Sequence, residues 1–182
     1  MNIADLKFIF LKKEIWVLTI SAAFQRANIY GEEVPEKKRV DFKNFLFEFV
    51  EKMVENCYMT VMTDELQHID NIKKISLASA KYSDILKNEK LNFGVSQKIL
   101  NLYLKYLWCL DKIPVPPHFP VDRLIQGELE IKNPVSWTQM KDEVEYLKII
   151  EKAKQQLQNL SFQHIAELEL HSFKRRNKLN KK

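Results

Sequence analysis

LNFGVSQKILNLYLKYLWCLDKIPVPPHFPVDRLIQGE, residues 91–128, is the stretch on which the reading of this chain turns. Gly94 is one of only three glycines, and it stands just before a helical pattern marked by Ile99, Leu100, Leu102, Leu104, Leu107 and Leu110. A glycine there allows a positive backbone φ and lets the turn come close to a neighbour. The first turn that follows, near Val95 to Lys98, is expected to leave backbone N–H groups pointing outward, where the helix dipole favours an anion such as a phosphate. Gly94, Ser96 and Gln97 are therefore candidate contacts to a nucleic-acid backbone.

Downstream, Pro114, Pro116, Pro117 and Pro120 hold the chain extended, so Pro120-Val121-Asp122 reads as the entry to a new helix. A carboxylate at Asp122 has two ordinary roles. It can accept a backbone N–H as an N-cap, contributing roughly 0.5–2 kcal/mol, or it can face a cleft with its charge stabilised by the helix dipole. Arg123, beside it, can pair with Asp122 or reach a phosphate.

Gly94-Val95-Ser96-Gln97-Lys98 with Asn101, followed after a loop by Pro120-Val121-Asp122-Arg123, resembles the second half of the helix-hairpin-helix DNA glycosylases, the superfamily that includes the 8-oxoguanine glycosylases. The similarity covers about 40 of the 182 residues. Ser96 stands where that family has its second hairpin glycine, and no proline precedes the hairpin. The resemblance implies that Lys98 falls on the catalytic lysine of the lyase-active members and Asp122 on the aspartate that active members need. It also implies a base-excision repair activity on DNA, acting on an oxidised or modified base. The alternative is a non-catalytic helical module that binds DNA or protein.

With 46% hydrophobic residues but 3 glycines and 6 prolines, the chain can bury a core and has little turn chemistry, so an all-α protein is expected. One helical domain is expected over residues 1–173, with helices from 1–90 packing on the half formed by 91–173. Net charge is +5. Lys174, Arg175, Arg176, Lys178, Lys181 and Lys182 crowd residues 174–182 without an acid, a basic tail suited to phosphates, with Arg175 and Arg176 as candidate DNA contacts. DNA is thus the expected partner.

Cys57 and Cys109 form no CxxC or Cys/His cluster, which argues against structural zinc or a four-cysteine iron–sulfur centre. Free buried thiols in a reducing cytosol are expected instead. No P-loop, GxGxxG, GxSxG or HExxH occurs, so neither a nucleotide cofactor nor a metal is expected. His164 and His171 with Glu167 and Glu169 offer ligand types, but at a spacing that arises often by chance. The run IWVLTISAAF, residues 15–24, is interrupted upstream by Glu14 and is too short to span a bilayer, so it reads as a core helix of a cytoplasmic protein.

Periodicity predicts helices over about 11–30, ended by Gly31 and buried on most sides, and after Pro35 along Val40, Phe42, Phe45, Leu46, Phe49 and Met53. The phenylalanines of the second helix suit core packing better than base stacking. A third helix starts at Thr63-Asp64-Glu65 with a face of Leu66, Ile69, Ile72, Ile75 and Leu77, and Gly127 closes the short helix after Asp122. Further helices are expected from a Ser136 cap through Ala153 and from Ser161 to Phe173.

Overall fold

Short acceptor side chains start most of the helices. Asn2 and Asp5 form a capping box at α1 (Ile3–Phe24), and Asp64 caps α3 (Glu65–Ser79) through the Gln67 N–H. Asn92 caps α4 (Phe93–Cys109), Asp122 caps α5 (Arg123–Glu128) and Asp142 caps α6 (Glu143–Leu157). Pro35 opens α2 (Glu36–Cys57), and before α7 (Ile165–Ser172) the Glu167 carboxylate accepts the N–H groups of Gln163 and His164. In this computed structural model, which describes residues 2–172, Ala80–Tyr82 and Trp137–Gln139 form 3-10 turns. Turns and irregular segments connect these helices, and among the described residues the β pairing is one isolated antiparallel bridge between Tyr30 and Leu86. None of their helices is long and apolar enough to cross a membrane.

α4 is the axis of the fold. Leu100, Tyr103 and Leu104 are wholly buried, and its neighbours are α1, α3 and the Trp137–Gln139 turn. Side chains from all seven helices join one apolar core. Phe42 sits inside it at 0% exposure while Phe45 and Phe49 pack on its edge against Tyr82 and each other, so the phenylalanines of α2 are packing groups.

A polar network runs through this core beside α4. Asn101 Nδ2 donates to Gln97 Oε1 (3.1 Å) and to the Tyr146 hydroxyl (2.8 Å), and Asn101 Oδ1 lies 2.9 Å from His68 Nε2. An amide oxygen only accepts, so His68 carries its proton on Nε2, and its bare Nδ1 accepts from the Tyr58 hydroxyl (2.8 Å). Having accepted from Asn101, Tyr146 donates to His118 Nδ1 (3.0 Å), which places the His118 proton on Nε2, 3.2 Å from Glu65 Oε1. Burial holds both imidazoles neutral: it pushes His68 well below the usual histidine range and His118 down to about 3.

Several element boundaries differ from the sequence expectation. α1 begins at Ile3, and the chain leaves it after Phe24 through Arg26 (φ 64°) and Asn28 (φ 44°) in left-handed conformations. Gly31 does not end it; the Gly31 N–H instead donates to Ile85 C=O beside the Tyr30–Leu86 bridge. Nor is α1 buried on most sides, because Ile3, Phe10 and Val17 are exposed and only the arc of Ile15, Trp16, Thr19, Ile20 and Ala23 turns inward. Leu66 and Leu77 face out from α3, since the buried arc is His68, Ile72, Ile75 and Ser79. Ser136 caps no helix with its side chain: Met140 is extended and gives its C=O to the Gly94 N–H (3.0 Å), so a new cap, Asp142, is required. α7 starts only at Ile165, and Phe173 lies outside the described residues. Cys57 is half-buried and Cys109 exposed, rather than both buried.

Candidate functional site

Lys98 lies in the second turn of α4, with its side chain only 8% exposed. The helix turns that side chain toward the C-terminal end of α1 and the entry to α5, where three features meet it. Its Nζ is 3.6 Å from Asp122 Oδ2 and 3.5 Å from the centroid of the Trp137 ring. Trp137 is held in that position by its indole N–H, which donates to the Ala23 C=O of α1 (3.2 Å). The third feature is a cavity of about 250 Å³, lined by Lys98 and Asp122 together with Ala22, Gln25, Leu102, Lys105, Ile125 and Glu169.

Asp122 performs both roles that its sequence position offers. Oδ1 accepts the Leu124 N–H (2.9 Å) and the Ile125 N–H (3.3 Å) at the start of α5, which leaves Oδ2 for Lys98. The cap fixes the rotamer, so the charge that faces the amine is placed by the helix itself. Burial lowers the Lys98 ammonium below the ordinary lysine range; Asp122 opposes this and Arg26 adds to it. The site therefore holds an amine that loses its proton more readily than a surface lysine, beside a carboxylate held in place by its own helix cap.

A second ion pair lines the same cavity. Lys105, two turns along α4, stands 2.7 Å from Glu169 Oε2, and both side chains are about nine-tenths buried. Burial raises the Glu169 carboxyl above its usual value. In sequence Glu169 sits among His164, Glu167 and His171, but the fold separates it from them by turning it inward to Lys105.

The candidate backbone contacts of the Gly94 turn are placed differently from expectation. Gly94, Ser96 and Gln97 are buried, with Ser96 and Gln97 at 0% exposure. The N–H groups of that turn are already used: Gly94 donates to Met140 C=O, Val95 to Asn92 Oδ1 and Ser96 to Asn92 C=O. The glycine is required for closeness and not for a positive φ, since a Cβ at position 94 would lie 1.8 Å from the Trp137 carbonyl oxygen. Arg123 is exposed on α5, and Arg175 and Arg176 lie outside the described residues.

Trp137, Lys105 and Glu169 are site residues that sequence reasoning missed. Lys105 repeats Lys98 at seven residues along one helix, which was the available signal; nothing local marks Trp137 as a cover for Lys98.

A buried amine lowers stability where it enables chemistry. Lys98→Met keeps the stem and removes the charge with its attraction to Asp122 and Trp137; because burial outweighs those attractions at Lys98, the variant is expected to unfold at a higher temperature than wild type. Because Lys98 binds its proton less tightly in the folded state than in the unfolded one, its penalty is largest at neutral pH and fades as pH rises toward 10.5. Thermal melts of the two proteins should therefore converge in alkaline buffer.

No family model, curated protein or solved structure matches this chain.

Proposed function

We propose that this chain is a DNA-binding base-excision glycosylase with lyase activity, built on a helix-hairpin-helix-like fold, and that Lys98 and Asp122 carry its chemistry. The observation that supports this most strongly is the buried Lys98 amine facing Asp122 Oδ2 on the wall of one cavity. Burial under Trp137 lowers the proton affinity of this amine beside open space that a substrate group can enter, which is what a nucleophilic lysine needs.

The cavity is too small for a duplex and lies just below the roughly 300–1,000 Å³ usual for small-molecule sites. The substrate nucleotide is therefore extruded from the helix before it reacts. Neutral Lys98 attacks the sugar carbon that bears the base. A C–N bond forms to the enzyme as the glycosidic bond breaks, and the base leaves with the bonding electrons and acquires a proton. Asp122 stabilises the positive charge that develops on the sugar and accepts the proton released by the attacking amine. Opening of the sugar ring then gives a protonated imine, whose electron demand permits loss of the neighbouring C2′ proton and expulsion of the 3′ phosphate. Water hydrolyses the imine and frees Lys98.

Free base released from duplexes that carry an oxidised purine tests the assignment. Its absence across a broad panel of lesions would overturn the catalytic reading and leave a non-catalytic helical binding module. Binding to DNA should weaken steeply with salt, because each lysine or arginine that neutralises a phosphate releases a counterion. Deleting residues 174–182, six of which are basic, should flatten the dependence of log Kd on log salt, as measured by fluorescence anisotropy, while the helical circular dichroism persists. An unchanged slope would remove the tail from the interface.

A further inference from the structure

Two glutamines near the site, Gln97 and Gln126, are at 0% exposure and do the same thing. Each uses its whole carboxamide to grip the backbone of one distant valine. Gln97 Nε2 donates to the Val121 C=O (2.9 Å), and its Oε1 accepts the Val121 N–H (3.2 Å). Gln126 Nε2 donates to the Val135 C=O (2.8 Å), and its Oε1 accepts the Val135 N–H (2.8 Å). The two gripped residues are not arbitrary: Val121 immediately precedes Asp122, and Val135 lies two residues before Trp137, so each grip holds a segment that delivers one of the two groups against Lys98. Gln126 also donates to the Asp122 C=O (3.0 Å), which ties the two segments together across α5.

A backbone N–H only donates and a backbone C=O only accepts, so each valine fixes the flip of the carboxamide that grips it. At Gln97 the core agrees with that flip, since Asn101 Nδ2 also donates to Gln97 Oε1. Asn101 is in turn fixed by Tyr146 and His68. The orientation of Gln97 is thus set by Val121 and the core behind it and not by a ligand in front of it.

We infer that Gln97 and Gln126 are positioning residues, which set the distance and cover of the Lys98 amine by clamping the segments that carry Asp122 and Trp137. This rests on the assignment of Lys98 as the nucleophile. Neither glutamine touches the substrate. Their role is to hold a carboxylate and an indole on loop and helix-start segments with the precision of a helix interior, where an error of about 1 Å costs about a hundredfold in rate.

The test uses acetic anhydride on the full chain without DNA, with acetylation of Lys98 followed by peptide mass spectrometry as a function of pH. Only the neutral amine reacts, and the other lysines serve as internal controls. Asp122→Asn, which removes the charge directly, is the reference and should move the Lys98 profile to lower pH. Gln97→Met keeps the volume and loses the grip; it should move the profile in the same direction, giving about tenfold faster acetylation at neutral pH for each unit of displacement. Gln126→Met should raise the limiting rate at high pH severalfold, because the Trp137 cover loosens. With a substrate lesion, both variants should slow single-turnover base release while DNA affinity stays at the wild-type value.

Wild-type acetylation profiles in folded Gln97→Met and Gln126→Met would overturn the inference. Should Gln97→Met lose its helical circular dichroism, Gln97→Leu replaces it, and failure of both to fold would also overturn it, since the amide would then be a structural element of the core. The acetylation measurement needs no substrate. A shifted profile with no base release on any lesion therefore sinks the glycosylase assignment and leaves the clamp standing, and the converse result does the opposite.

Discussion

Borohydride added while the protein acts on a duplex containing an oxidised purine should yield a covalent protein–DNA adduct, and Lys98→Ala should abolish it. Only an amine nucleophile produces an imine that borohydride can reduce, and among the described lysines Lys98 is the one that burial, Asp122 and the cavity single out together. The adduct is read on a denaturing gel and mapped to its peptide by mass spectrometry. Asp122→Asn should behave differently. Asparagine can still accept the Leu124 N–H, so α5 keeps its cap, but the charge opposite the developing cation is gone. Base release should fall by about 10²–10³-fold with DNA binding almost unchanged. Equal trapping by wild type and Lys98→Ala would reject Lys98 as the nucleophile.

Gly94→Ala should be among the most damaging single substitutions in the chain. The new methyl carbon would lie 1.8 Å from the Trp137 oxygen, 2.7 Å from the Trp137 carbonyl carbon and 2.8 Å from Met140 Cβ, so backbone has to move, and the backbone that moves carries the indole over Lys98. Overpacking of this severity costs about 3 kcal/mol or more. Urea unfolding should register the loss of stability, and acetic anhydride should register a more reactive Lys98. Gly127→Ala is the control: no atom lies within 4 Å of its Cβ, and alanine within α5 should gain up to about 1 kcal/mol. Equal stability of the two alanine variants would show that the chain over α4 yields more freely than its packing implies.

Much of the architecture is legible in the sequence because it is local. Asp64 marks the start of α3, Pro35 the start of α2 and Asp122 the start of α5, each through chemistry that acts within one turn. The all-α class follows from the same scarcity of glycine and proline. What escapes a local reading is long-range. The 136–153 segment has an uninterrupted helical pattern, but the close approach of Trp137 over Gly94 breaks it at Met140. Leu66 and Leu77 look like core and face outward because His68, Asn71 and Ser79 take the inner positions, satisfied by partners outside α3.

The site divides in the same way. Lys98 and Asp122 could be chosen from the motif, and the structure brings them to 3.6 Å. The roles expected of Gly94, Ser96 and Gln97 presumed an exposed first turn. That turn is exposed in an isolated helix, but here the chain from Trp137 to Met140 is laid across it. Glu169 is the opposite case, a residue that looks like part of a polar surface and is drawn inward by Lys105, sixty-four positions away.

The Asn101–Tyr146–His118–Glu65 row of hydrogen bonds has a direction, and so the core has one permitted protonation pattern. A hydrogen ion arriving at His118 Nδ1 would meet a donor already there, and one arriving at His68 Nδ1 would meet the Tyr58 hydroxyl. The unfolded chain accepts both protons near the ordinary histidine value of 6.5, whereas the folded chain refuses them to well below it, and to about 3 at His118. Acid therefore acts on this protein as a ligand of the unfolded state. Stability should decline from pH 6.5 downward, by up to about 1.4 kcal/mol per pH unit for each ring, a loss that protonation of the raised Glu169 carboxyl offsets only in part. A midpoint in urea that stayed level between pH 6.5 and 5 would show that the two rings charge without unfolding.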